Sequence, residues 1–383
     1  MRLSSRGVPR NIIKPIVGRI ARKGTGAPSE AIYLVQAGGD VPDQISSYRA
    51  LITTGPVLDL GATEIPTIHG LREDDHLRDG DIVALDSTGG VRTLFRPDSV
   101  HNTLFVTEQC NSNCLMCSQP PRDVDDIKHF LAINSELIRL IPLTTTALGI
   151  TGGEPTLLQA DLLHLLELLR DRLPHTHIHV LTNGRSFAQP QFTAVLAAVR
   201  HPDLMLGIPL YSDAAHLHDY IVQARGAFDE TVVGLHHLAR HRVHVEIRIV
   251  LHKLSVPRLR HLVEFVYRNL PFAAHIALMG LEPTGYVPYN REKLWIDPFD
   301  YRDELLCSVD FLNMRGMSVS IYNIPRCLLP ESLWAFAKQS ISDWKNVYLP
   351  VCESCLERNQ CAGFFQSADR IHSAHIEPFL PGV

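Results

Sequence analysis

The chain has 383 residues, of which 45% are hydrophobic and 20% are charged. A chain of this size and composition can bury a large core in two or three folding units, which excludes a disordered protein. Its 36 lysines and arginines are outnumbered by 41 aspartates and glutamates and are spread along the sequence, so we expect no binding of nucleic acid through charge alone.

The sequence also argues against a membrane or secreted protein. A long apolar run at 162–169 is interrupted by His164 and Glu167 and is too short to span a bilayer. The basic N-terminal stretch lacks a small-residue cleavage site. Eight cysteines are few for a disulfide scaffold of this length, and their clustering is typical of metal binding in a reducing compartment. We therefore expect a cytoplasmic protein without a membrane partner.

Residues 1–97 predict a β-rich module. Short alternating apolar runs are joined by Gly and Asp turns, and the run at 77–95 turns at the pair Gly89–Gly90, as a β-hairpin does. Because no chemical motif lies here, we interpret the module as an accessory sheet, with docking of a peptide as the second possibility.

Residues 98–285 alternate between short apolar runs and amphipathic stretches of helical period. Helices are expected at 156–173 and at 257–269, the latter with Ser255 as its N-cap. Consecutive β-then-α units predict a parallel sheet covered by helices, because parallel strands require crossover connections. Six units predict an α/β fold built as an open, partial (β/α)6 barrel, with strands at 103–107, 147–151, 177–182, 204–211, 244–252 and 275–281.

Residues 286–383 form the predicted C-terminal extension. A helix is expected at 300–315 with Gly316 at its C-terminal end, followed by a strand at 318–323. A cysteine-rich segment follows.

The first chemical motif comes directly after the first predicted strand, where Cys110, Cys114 and Cys117 have the spacing C-x3-C-x2-C. Three thiolates on one loop can hold three irons of a [4Fe–4S] cubane and leave the fourth iron open. Structural zinc would require a fourth Cys or His close by, and the neighbouring sequence offers none.

This motif resembles that of the radical S-adenosylmethionine (SAM) superfamily, and the resemblance covers residues 103–283. It implies that the open iron is chelated by SAM and that an electron from the cluster cleaves SAM to a 5′-deoxyadenosyl radical. Met116 stands where the family usually has an aromatic residue near the adenine. The stretch Gly152-Gly153-Glu154-Pro155 resembles the GGEP motif of the family. The glycine carbonyls and the carboxylate of Glu154 suit the α-amino group of SAM.

Three further SAM contacts follow from the resemblance alone. Asn183, at the end of the third strand, is expected in the SAM pocket, although Asn-Gly is also an ordinary turn pair. Ser212 is expected to bind SAM or to act as an N-cap of the next helix. Arg248 is expected to pair with the SAM carboxylate or to bridge Glu246.

A second cysteine group, Cys327, Cys352, Cys355 and Cys361, has the spacing C-x24-C-x2-C-x5-C. It resembles the auxiliary-cluster domains of the twitch and SPASM kind, which implies a second [4Fe–4S] cluster; a four-thiolate zinc site is the alternative. Cys307 lies in an apolar helical stretch and is left outside both groups.

The sequence also resembles the radical SAM maturases of the His-Xaa-Ser system, in its loop EQCNSNCLMCSQPPR, its stretch ITGGEPT and its C-terminal cysteine region. This implies a ribosomally made substrate peptide with His-Xaa-Ser repeats, a second radical SAM maturase as partner, and a flavodoxin- or ferredoxin-type electron donor. Two alternatives stay open. One is a small-molecule enzyme like the molybdenum-cofactor cyclase, and the other is a non-enzymatic iron–sulfur electron carrier.

Overall fold

The computed structural model describes residues 3–22, 28–36, 44–55, 64–339, 347–369 and 371–380. Within them the predicted mixed α/β fold is confirmed, with one β-rich sheet near the N-terminus and a second sheet whose strands alternate with helices.

The first sheet closes on itself. Its strand order is β1-β8-β7-β3-β4-β5-β6-β2. The two ends of this order, β1 and β2, are separated in sequence only by Gly7, so one extended segment pairs antiparallel with β8 on one side and with β6 on the other. A Cβ atom at Gly7 would lie 2.4 Å from the carbonyl oxygen of His69, so this junction requires glycine. The strands are β1 (Ser4–Arg6), β2 (Val8–Arg10), β3 (Ile16–Ala21), β4 (Ala31–Val35), β5 (Ala50–Thr53), β6 (Thr67–His69), β7 (Ile82–Leu85) and β8 (Gly90–Phe95).

The predicted β-hairpin is confirmed. Strands β7 and β8 pair antiparallel with Leu85 opposite Val91, and Gly89 takes a φ of +85° in the turn between them. The enclosed side chains form a continuous aliphatic core that includes Ile20, Ile32 and Ile52. The N-terminal module therefore has its own core.

The second sheet contains seven strands in the order β15-β14-β13-β12-β11-β10-β9, and the pairs from β11 to β15 are parallel. It is open, as a partial barrel requires. The strands are β9 (Asn102–Phe105), β10 (Ala147–Thr151), β11 (His177–Leu181), β12 (Leu204–Pro209), β13 (His244–Leu251), β14 (His275–Gly280) and β15 (Val319–Tyr322). Six of these are the strands expected for the barrel. The seventh, β15, comes from the segment assigned to the C-terminal extension.

The described α-helices are α1 (Ile127–Leu140), α2 (Ala160–Arg172), α3 (Pro190–Ala198), α4 (Ala215–Val222), α5 (Ala227–Arg240), α6 (Leu259–Asn269), α7 (Arg291–Leu294) and α8 (Arg302–Asn313). The sequence predicts three of them, namely α2, α6 and α8, and the other helices were not assigned from the sequence.

Three helix starts differ from the prediction because a 3-10 turn precedes each α-helix. Ser255 occupies the N-cap position of the 3-10 turn Val256–Arg258 that leads into α6, but its side chain makes no capping hydrogen bond. Its hydroxyl instead donates to the carbonyl of Val250 at 2.8 Å and accepts from the amide of His252 at 3.0 Å. Gly316, with a φ of +72°, lies just beyond α8 as predicted.

Contacts divide the chain into two compact units. The first comprises Met1–Val106, Ile127–Gly149 and His164–His177, and the second comprises Thr107–Asp126, Ile150–Leu163 and Ile178–Val383. In the first unit, helix α1 lies against the N-terminal sheet, and Arg19 donates to the carbonyl of Leu140 at 2.7 Å. The sequence boundaries at 97 and 285 stay predictions. No helix among the described residues is long and apolar enough to cross a bilayer.

Two buried histidines in the second unit lead us to expect a loss of stability in acid. Nδ1 of His252 accepts from the amides of Leu254 and Ser255, both at 3.2 Å, and burial lowers its pKa to about 3. Nδ1 of His218 accepts from the amide of Tyr211, and burial lowers its pKa to about 4. Below pH 6.5 the unfolded chain binds a proton at each position and the folded chain does not. Stability is therefore complete above pH 6.5 and falls as the pH is lowered.

At pH 5 each histidine is expected to cost about 2 kcal/mol relative to pH 7. Urea unfolding at both pH values checks this. The variant His252→Asn keeps an acceptor in place of Nδ1 and is expected to lose less stability between pH 7 and pH 5 than the wild type. The exposed control His216→Asn should lose as much as the wild type. Equal losses in all three proteins would contradict the assignment.

Candidate active site

The first three cysteines lie on one loop, residues 110–117, which we call the cluster loop. All three are partly buried. Burial is the largest cause that raises the pKa of Cys110 to about 11 and that of Cys114 to about 12, and the charge of Cys117 contributes to both of these rises. Burial also raises the pKa of Cys117. Three thiols that face one another away from water become thiolates only beside cations, which the irons of a cluster supply.

Among the described residues, no three His, Cys, Asp or Glu side chains converge as they would around a single metal ion. In a cubane each thiolate binds a different iron. The described cysteines are therefore not arranged around one ion such as zinc, which was the alternative for the second group.

Backbone hydrogen bonds hold the cluster loop from one side. The amide of Asn113 donates to the carbonyl of Val222 at 3.0 Å, and the amide of Leu115 donates to the carbonyl of Ile221 at 2.9 Å. The side chain of Asn290 donates to the carbonyl of Leu115 at 2.9 Å. The C-terminal end of α4 and Asn290 thus fix the part of the loop around Cys114.

Gly152 and Gly153, at the end of β10, lie against the segment that leads into the cluster loop. The amide of Gly153 donates to the carbonyl of Thr107 at 2.7 Å, and the amide of Glu154 donates to the carbonyl of Gln109 at 2.8 Å. A Cβ atom would lie 2.6 Å from the Thr107 oxygen at Gly152 and 2.0 Å from the Gln109 oxygen at Gly153. The sequence predicts that these glycines admit a ligand, whereas the structure shows that the backbone of 107–109 already requires them.

Glu154 is buried, and its carboxylate is surrounded by protein donors. One oxygen accepts from the amide and hydroxyl of Thr156 at 2.9 and 2.7 Å and from the hydroxyl of Thr182 at 2.6 Å, and the other accepts from the amide of Asn183 at 2.6 Å. A carboxylate has about four acceptor positions. Glu154 therefore joins the ends of β10 and β11, and its expected contact with the SAM amino group stays a prediction.

Replacing Glu154 by glutamine is expected to loosen this junction, because an amide has one acceptor oxygen and turns an NH2 group towards donors. Each buried donor left unpaired costs about 1–3 kcal/mol. We expect a lower unfolding midpoint and less bound iron than in the exposed control Glu167→Gln. Iron analysis and calorimetry check this. Unchanged stability and iron with weaker SAM binding alone would show that Glu154 acts as a ligand only.

Asn183 and Arg185 connect the end of β11 to the cluster loop. The side-chain amide of Asn183 donates to Oδ1 of Asn111 at 2.6 Å. The guanidinium of Arg185 donates to the carbonyl of Asn111 and, at 3.2 Å, to the hydroxyl of Ser112, while its Nε donates to Glu230 at 2.6 Å. The sequence analysis missed Arg185. Its position in the sequence could have indicated this role, because Arg185 directly follows Asn183 and Gly184 at the end of β11.

Met116 and Tyr211 lie in the apolar cluster behind the loop, together with Leu115, Ile221 and Val222. The side chain of Met116 is 7% exposed. Tyr211 stacks on His218 with ring centroids 5.8 Å apart, and burial followed by the nearby thiol of Cys114 raises its pKa. Tyr211 was also missed in the sequence, because only the fold brings the end of β12 to the cysteines.

The structure places Ser212 and Arg248 against protein partners. The hydroxyl of Ser212 accepts from the amide of Ala214 at 3.1 Å, and Ala214 itself is the N-cap of α4, so the N-cap prediction for Ser212 is wrong. Of the two partners considered for Arg248, the structure shows the ion pair with Glu246. A second nitrogen of Arg248 contacts the sulfur of Met279 at 3.1 Å.

The second cysteine group also comes together. Burial raises the pKa of Cys327 to about 11, and the charges of Cys361 and Cys352 add smaller contributions. Burial also raises the pKa of Cys352, with smaller contributions from Cys361 and Cys355. The four thiols therefore influence one another electrostatically, as residues of one region do. Cys307 is exposed on α8, outside this group.

Backbone amides point at the sulfurs of this group. The amides of Arg326 and Gly363 donate to the sulfur of Cys361 at 3.4 and 3.5 Å, and the amide of Phe379 donates to the sulfur of Cys355 at 3.4 Å. Hydrogen bonds to cysteine sulfur are a means by which proteins tune iron–sulfur clusters. Both cysteine groups therefore offer a donor set that fits a [4Fe–4S] cluster.

The segment that contains Cys110, Cys114 and Cys117 is similar to known proteins. Residues 104–266 match the Radical SAM superfamily. The GTP 3′,8-cyclase of Streptomyces coelicolor is 33% identical over 113 residues, which are 28% of this chain and 30% of the cyclase. The chain thus spans less than a third of the length of the curated relatives it matches.

Two solved structures of SuiB from Streptococcus suis are also similar. SuiB bound to S-adenosylmethionine is 19% identical with a TM-score of 0.47, over 59% of this chain and 51% of SuiB. SuiB bound to the precursor peptide SuiA is 18% identical with a TM-score of 0.46, over 60% of this chain and 50% of SuiB.

The matched segment contains the cluster loop, Gly152–Glu154, Asn183, Ser212 and Arg248. Superfamily members are enzymes that use a [4Fe–4S] cluster and SAM. The residues predicted to bind the first cluster and SAM thus all lie in the segment that is similar to this superfamily.

Proposed function

We propose that this protein cleaves SAM reductively and modifies a ribosomally made peptide by hydrogen abstraction. The observation that carries the SAM chemistry is the cluster loop, whose three thiols are held together beside the end of β10. When bound, a cluster with one open iron would supply the electron that breaks the sulfonium C–S bond of SAM.

Residues of the second unit would bind the cluster and SAM. Cys110, Cys114 and Cys117 would each hold one iron and leave the fourth coordination corner to SAM. Gly152, Gly153 and Glu154 would place the SAM amino group, Glu154 by orienting the strand ends that it joins.

Asn183, Ser212 and Arg248 would complete the SAM pocket, with Arg248 facing the carboxylate of SAM from its pair with Glu246. Met116 would lie at the adenine. The apolar surface of Met116 and Tyr211 would exclude water, which protects a radical from being quenched.

The second cysteine group, Cys327, Cys352, Cys355 and Cys361, would hold an auxiliary [4Fe–4S] cluster in a twitch- or SPASM-like extension. Four thiolates leave no open iron, so this cluster would accept the electron released after the new bond forms. The amides directed at Cys355 and Cys361 support a redox role. A flavodoxin- or ferredoxin-type protein would supply electrons to the first cluster.

The resemblance to the His-Xaa-Ser maturases supports a peptide substrate with that repeat, modified together with a second radical SAM maturase. A cyclase acting on a small molecule is the second candidate, favoured by the match to the GTP 3′,8-cyclase. The two differ at Cys327, since a fourth thiolate closes the auxiliary cluster, whereas a cluster that binds a small-molecule substrate has to keep one iron open.

The variant Cys327→Ala tests the auxiliary cluster. Anaerobically purified wild-type protein is expected to contain about eight irons per chain, and the variant about four, because a cluster closed by four thiolates loses one ligand and, unlike the cluster at the loop, has no SAM to bind the exposed iron. Uncoupled formation of 5′-deoxyadenosine should persist. Eight irons in Cys327→Ala would favour the cyclase-like alternative, and the exposed Cys307→Ala should match the wild type.

Co-expression tests the substrate. The protein would be produced anaerobically with a peptide carrying His-Xaa-Ser repeats, and the peptide analysed by mass spectrometry. A mass change that depends on Cys114 supports the proposal. If the protein converts GTP and leaves the peptide unchanged, the proposed peptide substrate is wrong and the cyclase alternative takes its place.

A further inference from the structure

Arg185 contacts the cluster loop, and the proposed function assigns it no role. Its guanidinium donates to the carbonyl of Asn111 and to the hydroxyl of Ser112, both between Cys110 and Cys114. On its other side, Nε donates to Glu230 at 2.6 Å. The Arg185 side chain is only 14% exposed, so these partners replace most of its water. The loop is thereby held against the end of β11.

The charge of Arg185 also lies close to Cys110. The guanidinium donates to the carbonyl of Asn111, the residue that follows Cys110, and it is largely shielded from water. It therefore stabilises negative charge at the cluster loop. Glu230 compensates part of this charge, and its side chain is 44% exposed, so it is better screened by water than the arginine.

We propose that Arg185 is a positioning residue that fixes the Asn111–Ser112 part of the cluster loop and that its charge, balanced by Glu230, sets the reduction potential of the cluster on Cys110. This rests on the proposed function, since it requires a cluster at the loop. Reduction adds one negative charge to a cluster. A cation held beside it therefore favours the reduced form, and a nearby anion opposes it.

Two substitutions of the same ion pair should shift the potential in opposite directions. Arg185→Gln removes the cation and leaves Glu230, so the potential should fall. Glu230→Gln leaves Arg185 uncompensated, so the potential should rise. We expect a change of about tenfold in the one-electron reduction constant in each case, which is about 59 mV. An anaerobic redox titration followed by electron paramagnetic resonance (EPR) measures both.

A purely structural role gives a different result, because both substitutions break the same salt bridge and would change the potential in the same direction. Glu304→Gln is the matched control. Glu304 pairs with Arg260 at 2.5 Å and is 43% exposed, close to the exposure of Glu230, but its pair contacts no part of the cluster loop. This control should keep the wild-type potential.

Arg185→Lys separates charge from hydrogen bonding. Lysine keeps the charge but cannot bind Asn111, Ser112 and Glu230 at once through a planar fork. The reduction potential of the cluster in Arg185→Lys should stay near that of the wild type, while the variant should lose iron to a chelator faster than the wild type does. A potential as low as that of Arg185→Gln would overturn the electrostatic part of the proposal.

The outcomes separate this inference from the proposed function. Wild-type protein without iron or an EPR signal after anaerobic reconstitution would contradict the proposed function. Wild-type protein with a SAM-responsive cluster, combined with shifts of the same sign or none in the two variants, would overturn only the role of Arg185. If Arg185→Gln does not fold, the test rests on Glu230→Gln. A reduction potential in that variant no higher than that of the wild type would then overturn the proposal.

Discussion

Replacing Cys114 by alanine is expected to abolish formation of 5′-deoxyadenosine and to lower the iron content from about eight to about four per chain. Two thiolates cannot hold a cubane that must also keep one iron open. Cys114 is the thiol whose pKa burial raises most among the three, to about 12, so its site offers little water to replace a missing ligand. Iron analysis and chromatography of the products after dithionite reduction with SAM measure both effects.

Cys307→Ala is the matched control, since Cys307 is exposed on α8 and belongs to neither cysteine group. It should keep the iron content and the rate of SAM cleavage. If Cys114→Ala retained eight irons and cleaved SAM at the wild-type rate, the cluster loop would not be the site of this chemistry.

The second large effect is expected at Gly153. In Gly153→Ala the new methyl group would lie 2.0 Å from the carbonyl oxygen of Gln109, an overlap that only movement of backbone relieves. Overpacking of this kind costs about 1–3 kcal/mol. Because Gln109 precedes Cys110, the movement would displace the cluster loop from the end of β10. We expect at least a tenfold weaker affinity for SAM, measured by isothermal titration, and slower SAM cleavage.

Gly55→Ala serves as the control for a glycine substitution in a strand-end loop. There the nearest atom to a new Cβ is 3.6 Å away, an ordinary contact. This variant should bind SAM as the wild type does. Wild-type affinity in Gly153→Ala would mean that the close approach between β10 and 107–109 does not position the SAM site.

The strands of the second sheet could be read from the sequence because each is a short apolar run bounded by turn residues. The predicted strand at 147–151 has the same bounds as β10, and most others end within two residues of the predicted position. The place of β15 could not be read in this way. Its register beside β14 depends on a contact between segments that a long connection separates. The closure of the first sheet around Gly7 could not be predicted either, because β1 and β2 pair with strands that are distant in sequence.

The three cysteines of the cluster loop could be grouped from their spacing, because they share one short loop. The second group joins Cys327 to a segment that begins 25 residues later, and the cluster ligands in both groups stay predictions. The roles of individual polar residues could not be predicted from spacing. Four donors from two strand ends converge on Glu154, and Arg185 reaches Asn111 from another loop. The capping rule placed Ser255 correctly at the N-cap position, but it did not predict that the hydroxyl would bond to Val250 and His252 instead of capping the turn.

EPR of the reduced cluster tests the central claim most directly. The Cys327→Ala protein would be reduced under anaerobic conditions, so that the signal arises from the cluster loop alone, and its spectrum recorded before and after SAM is added. We predict a changed spectrum with SAM and no change with 5′-methylthioadenosine, which lacks the amino and carboxylate groups that would chelate the iron. A fully loaded cluster whose spectrum is the same with and without SAM would contradict an open iron at Cys110, Cys114 and Cys117.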